Sequence, residues 1–140
     1  MIFHGWINIQ VDDKDDPDFK TLTLRMDEAL IKLKKKVEEV DDSFCHFQVG
    51  KAGNDMNFLN VHGNRNHRFR PVIELFHWVA ENLQESYGLL YVWDDEHKDF
   101  DNEYRVYKVA QGKCTEHKDH YLSPCVPTIE KPYHWEEKDT

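Results

Sequence analysis

Apolar and polar residues alternate along the start of the chain. Ile7, Ile9 and Val11 fall on one face, and Trp6, Asn8 and Gln10 fall on the other. Strict alternation of this kind is typical of a β-strand with one buried face. The pattern therefore predicts a first strand over residues 6–11.

The period then changes to that of an amphipathic helix, with apolar residues recurring every three or four positions. This stripe consists of Phe19, Leu22, Met26, Ala29, Leu30, Leu33, Val37 and Val40. Asp16 before Pro17 forms a good N-cap and first-turn pair, so we expect a helix over about residues 18–40. Pro71 opens a second helix, and Gly88 supplies its expected C-terminal stop. The second stripe consists of Val72, Phe76, Val79, Leu83 and Tyr87.

Further short runs rich in β-branched and aromatic residues predict additional strands. They cover residues 43–49, 56–61, 89–93 and 103–111. The resulting order is β-α-β-β-α-β-β. It predicts an α+β two-layer sandwich, with a mainly antiparallel or mixed sheet and both helices on one face. The length of 140 residues suits a single domain over 1–140, with an irregular proline-containing tail from about residue 121.

Alternation in the run 89–93 places aromatic residues on the sheet face away from the helices. If Leu90 and Val92 face the helices, Tyr91 and Trp93 face the other way, together with Trp6. Two outcomes are open for these rings. They form a binding surface, or the C-terminal tail covers them with its own apolar residues. The tail residues available for this are Ile129, Tyr133 and Trp135.

The charge balance narrows the classes of function. Lys and Arg total 18, Asp and Glu total 27, and the formal net charge is −9. This balance argues against a nucleic-acid binder, because affinity for phosphates comes mainly from basic groups. It favours steered association with a basic partner. The N-terminus does not resemble a secretory signal, and no membrane helix is predicted. The odd number of cysteines fits a reducing compartment. We therefore expect a cytoplasmic protein.

The most acidic stretch is DDEHKDFDNE, residues 94–103, between two predicted strands. Its carboxylates are Asp94, Asp95, Glu96, Asp99, Asp101 and Glu103. Metal-dependent hydrolysis of phosphodiesters needs such groups to converge on one point. Asp94 and Asp95 are adjacent and point to opposite faces of a continuing strand, and the rest lack the glycine-anchored calcium pattern. An acidic surface for a basic partner is therefore the favoured interpretation, with a small metal-dependent hydrolase as the alternative.

Two other clusters contain residue types that bind ligands. Cys114, His117, His120 and Cys125 are all zinc-ligand types, but their spacing matches no standard zinc finger. A domain of this size also folds without a metal, so we expect neither metal nor cofactor. The second cluster is a locally basic loop, for which a charged surface loop is favoured over a phosphate site. It contains Arg65, Arg68, Arg70, His62 and His67.

Four segments of the chain resemble one known family. They are HGW at 4–6, SYGLLYVWDDE at 86–96, NEYRVYKVAQGK at 102–113 and YLSPCVPTIE at 121–130. Together they resemble the bacterial immunity protein 7 family, whose members accompany polymorphic toxins and are encoded beside the toxin gene. The resemblance is densest over the last third of the chain.

The resemblance implies an α+β cytoplasmic antidote without enzymatic activity, which binds and blocks a cognate toxin carboxy-terminal domain. The partner is expected to be basic, and a nuclease is one possibility; neither nucleic acid nor membrane is expected to bind. We predict that the toxin contacts an acidic loop and neighbouring aromatic anchors. The predicted partner-binding residues are Trp6, Tyr91, Trp93, Asp94, Asp95, Glu96, Asp99 and Asp101.

Overall fold

The computed structural model describes residues 1–42 and 44–133. Within these residues the strands are β1 (Ile2–Ile9), β2 (Cys45–Ala52), β3 (Met56–Asn64), β4 (Tyr87–Trp93), β5 (Arg105–Ala110) and β6 (Lys113–Lys118). The helices are α1 (Phe19–Val40), α2 (Arg70–Asn82) and the short α3 (Cys125–Thr128). The α+β class is as predicted. The order differs from the prediction, because β6 and α3 follow the last predicted strand.

The described strands form one sheet in the order β2-β3-β1-β4-β5-β6. Every neighbouring pair is antiparallel. The N-terminal strand β1 therefore lies inside the sheet, between the β2–β3 hairpin and the β4–β5–β6 meander. This position sets Trp6 of β1 directly opposite Leu89 of β4.

The hydrophobic core lies on one face of this sheet. Phe3, Ile7 and Ile9 of β1 are fully buried, and Leu90 and Val92 of β4 are buried beside them, as their alternation predicts. Helices α1 and α2 contribute to the same cluster and contact each other. Their buried residues are Ala29, Leu33, Val37, Val72, Leu75, Phe76, Val79 and Ala80. The opposite face of β1–β4, which we call the open face, carries the alternate side chains.

The N-cap of α1 lies two residues after the predicted one. Asp18, and not Asp16, is the N-cap, because its Oδ1 accepts a hydrogen bond of 2.7 Å from the Thr21 amide. Asp16 lies in the preceding turn with a φ of 49°. Phe19, the first member of the predicted stripe, is 77% exposed, so the buried stripe begins further along the helix.

Gly88 does not end α2, as the sequence pattern predicted. The helix ends at Asn82, and the Leu83 amide caps it by donating to the Val79 carbonyl. Gly88 lies within β4, where a Cβ atom would come 2.0 Å from the Trp6 carbonyl oxygen. Glycine is therefore required at this position by a close approach of two strands. Tyr87, the predicted last member of the helical stripe, also belongs to β4.

Candidate functional site

The acidic loop, residues 94–104, joins β4 to β5 and is organised by its first carboxylate. Asp94 is buried, and its Oδ1 accepts a hydrogen bond of 3.1 Å from the Glu96 amide. Its other oxygen lies 3.9 Å from the Arg68 guanidinium. Asp94 therefore orders the loop backbone and is largely withdrawn from solvent.

The predicted basic cluster is largely neutralised by neighbouring carboxylates. Arg65 forms an ion pair with Asp42, and the Arg65 guanidinium also lies 4.1 Å from the centre of the Phe69 ring. The His67 ring is 2.9 Å from a carboxylate oxygen of Glu96. With Arg68 beside Asp94, these contacts favour a charged surface loop over a phosphate site.

Of the other carboxylates in the acidic loop, Glu103 is partly buried beside Arg105, and the rest are exposed. Asp95, Asp99 and Asp101 make no side-chain hydrogen bond or ion pair with any residue that the structure describes. The backbone below them is nevertheless ordered, because the His97 Nδ1 accepts hydrogen bonds from the Asp99 and Phe100 amides at 2.9 and 3.2 Å. The loop thus holds three available carboxylates on a defined backbone.

Trp93 connects this loop to the aromatic residues of the sheet. Its indole Nε1 donates a hydrogen bond of 2.9 Å to the Asp101 carbonyl. Its ring contacts that of Tyr104 at a centroid distance of 5.9 Å, and Tyr91 contacts the same ring at 6.1 Å. Tyr104 is itself buried. Trp93 and Tyr91 are therefore half-buried members of a packed aromatic group.

Trp6 belongs to a different aromatic group. Its ring meets Tyr87 edge-on at 6.1 Å, and the Tyr87 hydroxyl accepts a hydrogen bond of 2.7 Å from Asn8. Trp6 and Tyr87 are 43% and 44% exposed. Because Trp6 pairs with Leu89 while Trp93 pairs with Ile2, the two tryptophans are about 13 Å apart along the strands, at roughly 3.3 Å per residue. The predicted aromatic patch is therefore divided into two parts.

The segment after β6 folds back onto the acidic loop. Asn102 donates to the Val126 carbonyl at 3.1 Å and accepts from the Val126 amide at 2.9 Å. The Cys125 amide donates to the Asn102 carbonyl, and Cys125 is fully buried. Ile129 and Tyr133, the residues expected to cover the rings, are largely exposed, and Trp135 lies outside the described residues. The described part of the tail therefore braces the loop and leaves Trp6 and Tyr87 partly exposed.

Asp119 fixes the start of this tail. Its carboxylate accepts hydrogen bonds of 2.9 Å from the Tyr121 amide, the Leu122 amide and the Ser123 hydroxyl. Burial works to raise the pKa of Asp119, but these hydrogen bonds outweigh it and lower the pKa below its ordinary value. Ser123 in turn accepts from the Tyr104 amide, which links the tail to the aromatic group around Trp93.

A cleft of about 680 Å³ opens where the acidic loop, the tail and the N-terminus meet. Trp93 lines it together with the acidic residues Asp95, Asp101 and Glu130. Asn102, which binds the tail, forms part of the same wall. The cleft combines an aromatic surface with these three carboxylates, and Arg65, which also lines it, is paired with Asp42. This combination suits a cationic side chain.

The cysteine and histidine candidates for a zinc site are not brought together. Cys114 and His117 are three residues apart on β6, so their side chains lie on opposite faces of the sheet. The His117 ring instead contacts the Thr115 hydroxyl at 2.7 Å. Burial raises the pKa of the Cys114 thiol to about 11, which disfavours the thiolate that a metal binds. Among the described residues, no group of three or more His, Cys, Asp and Glu side chains is arranged to hold a metal.

A row of histidines crosses the open face and was not predicted as a unit. His46 of β2 pairs with His62 of β3, and His62 pairs with His4 of β1. With Phe44, they line a shallow depression of about 560 Å³. The residues are distant in sequence, so only the strand register reveals them.

The helices in the described part of the chain are too short or too polar to cross a membrane. The described residues thus define an acidic α+β domain with an exposed carboxylate loop beside an aromatic cleft. The sequence profile of the family described as Immunity protein 7 matches residues 1–131, and the chain belongs to this family. Family membership supports a role as an immunity protein and implies a toxin partner. No curated protein and no solved structure matches the chain significantly.

Proposed function

We propose that this protein neutralises a cognate polymorphic or contact-dependent toxin by binding its carboxy-terminal domain through the acidic loop and the adjoining cleft. The observation that carries the proposal is the exposure of Asp95, Asp99 and Asp101, without ion-pair partners among the described residues, in the loop that follows Trp93. Asp94 and Glu96, which we also expected to contact the partner, belong to the same loop, where Asp94 is buried beside Arg68 and Glu96 contacts His67.

The charges and the aromatic ring have different roles in this proposal. Exposed carboxylates on a chain of net charge −9 attract a basic surface and raise the rate of encounter. The energy of a protein interface is concentrated in a few desolvated aromatic and Arg side chains. Trp93, at the wall of the cleft, is placed to receive a Lys or Arg side chain from the toxin. Covering a basic active site in this way would block a toxin that acts on phosphate-containing substrates.

The proposal places the protein in the cytoplasm, where it acts by binding and not by catalysis. The family assignment supports the binding role. A small metal-dependent hydrolase was the alternative that the acidic stretch raised. No observation in the described residues favours it, since Asp94 is committed to the loop backbone and to Arg68.

Charge reversal in the acidic loop tests the proposed surface. The test variant combines Asp95→Lys, Asp99→Lys and Asp101→Lys, which changes charges that make no ion pair in the described structure. The matched control combines Asp27→Lys, Glu28→Lys and Glu38→Lys on the exposed side of α1, with the same change in net charge. Association with the toxin domain is measured by stopped flow at several salt concentrations.

We expect the loop variant to associate on the order of tenfold more slowly and to lose most of its salt dependence. The α1 control should lose much less, because its charges lie away from the contact. Equal slowing of both variants would show that only net charge matters and would reject the acidic loop as the binding surface.

A further inference from the structure

The row of histidines lies on the open face and includes no residue of the acidic loop. His4 and His62 occupy directly opposite positions on β1 and β3, and their Nδ1 atoms are 3.0 Å apart. Their rings meet edge-on at a centroid distance of 5.3 Å. Two neutral imidazoles at this distance share one hydrogen bond. The same arrangement also brings two good metal-ligand atoms to one point.

We propose that His4 and His62 form a two-histidine site for a divalent transition-metal ion of the Zn²⁺ type. Zn²⁺ binds imidazole nitrogen at about 2.0–2.1 Å. Two such ligands are about 2.9 Å apart when they subtend a right angle at the ion, and about 3.3 Å apart at the tetrahedral angle. The observed Nδ1–Nδ1 separation of 3.0 Å falls within this interval.

Strand register makes this pair a fixed feature of the sheet. β1 is hydrogen-bonded to β3 on one side and to β4 on the other, so His4 cannot move relative to His62 without disrupting the ladder. His46 stacks on the His62 ring from β2, at a centroid distance of 6.1 Å. The ligand rings are therefore held by backbone pairing and by a neighbouring ring, which lowers the cost of ordering them for a metal.

The surroundings of the pair favour imidazoles that are free to coordinate. The side chains that β1–β4 place on the open face in the described residues include no Asp, Glu, Lys or Arg. Nitrogen ligands without carboxylates select Zn²⁺ or Ni²⁺ over Mg²⁺ or Ca²⁺.

Two protein ligands leave further coordination positions open to water. The depression lined by His4, His46, His62 and Phe44 gives the ion direct access from solvent. The described residues contain no group of three or more ligand-type side chains arranged around one point. The proposed site needs only two, His4 and His62. It is also independent of the toxin-binding proposal, since none of these histidines belongs to the acidic loop.

Titration of the untagged protein with ZnCl₂ at neutral pH, followed by calorimetry and by thermal unfolding, tests the site. We expect equimolar, saturable binding that raises the melting temperature. His4→Ala and His62→Ala should each weaken binding on the order of tenfold or more, because each removes half of the chelate. His117→Ala, which removes a histidine from the outer strand β6, is the matched control and should bind Zn²⁺ like the parent.

Two-bond ¹H–¹⁵N spectra of the imidazoles provide a second measurement that does not depend on a variant folding correctly. Zn²⁺ should shift the Nδ1 resonances of His4 and His62 and leave those of His117 unchanged. The proposal is overturned if Zn²⁺ shows no saturable binding. It is equally overturned if binding survives in His4→Ala, or if the shifted resonances belong to other histidines.

Discussion

Replacing Trp93 with Ala perturbs the link between the sheet and the acidic loop. The indole hydrogen bond to the Asp101 carbonyl contributes about 1 kcal/mol, as an ordinary intramolecular hydrogen bond does. The ring contact with Tyr104 adds about 0.5–1.5 kcal/mol beyond the area that it buries. We therefore expect Trp93→Ala to lower the free energy of unfolding by about 2–3 kcal/mol.

Two companion variants separate these contributions. Trp93→Phe keeps an aromatic ring and removes only the donor, so it should cost about 1 kcal/mol. Trp6→Ala removes a ring that is 43% exposed and contacts Tyr87 at its edge, so it should cost on the order of 1 kcal/mol. Urea unfolding measures all three values, and an unchanged slope shows that the native state is otherwise intact.

Toxin affinity measured on the same variants distinguishes an anchor from a purely structural residue. If Trp93 contacts the toxin, Trp93→Ala should weaken affinity by about 2 kcal/mol, or about 30-fold, at temperatures where it is folded. Trp6→Ala should weaken affinity less, because Trp6 lies away from the acidic loop. An unfolding free energy unchanged in Trp93→Ala would refute the role of the indole in holding the loop. A loss of stability with unchanged affinity would make Trp93 structural only.

Two further predictions concern the parts of the fold that support the site. Gly88→Ala should destabilise the protein by about 3 kcal/mol or more, because the new Cβ would meet a backbone oxygen at 2.0 Å. Gly53 has a φ of 58°, and a Cβ there would meet nothing within 4 Å, so Gly53→Ala should cost only about 1–2 kcal/mol. Equal melting temperatures for the two variants would contradict this difference. Because the folded-state pKa of Asp119 is lowered from 3.8, its stabilisation is present above that pH and lost as the pH falls through the folded-state value. Asp119→Asn should therefore lower the free energy of unfolding at neutral pH and weaken its decrease as the pH falls into the acid range. An unchanged decrease at acid pH would show that Asp119 does not hold the tail.

The elements with one strongly buried face were predictable from the sequence. Alternation assigned Ile7 and Ile9 to the core face of β1, and the helical stripe assigned Leu33 and Val37 to the core face of α1. Both patterns are local consequences of burying one side of a regular element. Strand β6 was missed because its sequence, KCTEHK, is mostly exposed at the edge of the sheet and carries no apolar alternation.

Sequence patterns assign the wrong local structure where one residue type suits two structures. Glycine commonly ends a helix, but Gly88 instead allows β1 and β4 to approach closely. This contact joins segments about 80 residues apart in the sequence. Asp16 and Asp18 are both good N-caps, and only the hydrogen bond to Thr21 distinguishes them. The role that each of these residues takes depends on tertiary contacts, which local sequence propensity does not encode.

The acidic stretch lies between two strands, as the sequence predicts. The roles of its individual carboxylates, however, depend on contacts between distant segments. Arg68 neutralises Asp94 from the loop before α2, and Asn102 binds Val126 of the tail. These contacts determine which carboxylates are available and which are structural. The row His46–His62–His4 likewise follows from strand order, and sequence spacing does not reveal it.

The central claim is that this chain neutralises a toxin by binding it. The most direct test is titration of the purified protein against the proposed partner, a toxin carboxy-terminal domain expected to be encoded beside its gene, with toxin activity as the readout. The account predicts that inhibition is complete at equimolar protein and that the complex forms more slowly as salt is added. Full toxin activity in the presence of excess protein, with no complex detected by calorimetry at low salt, would contradict it.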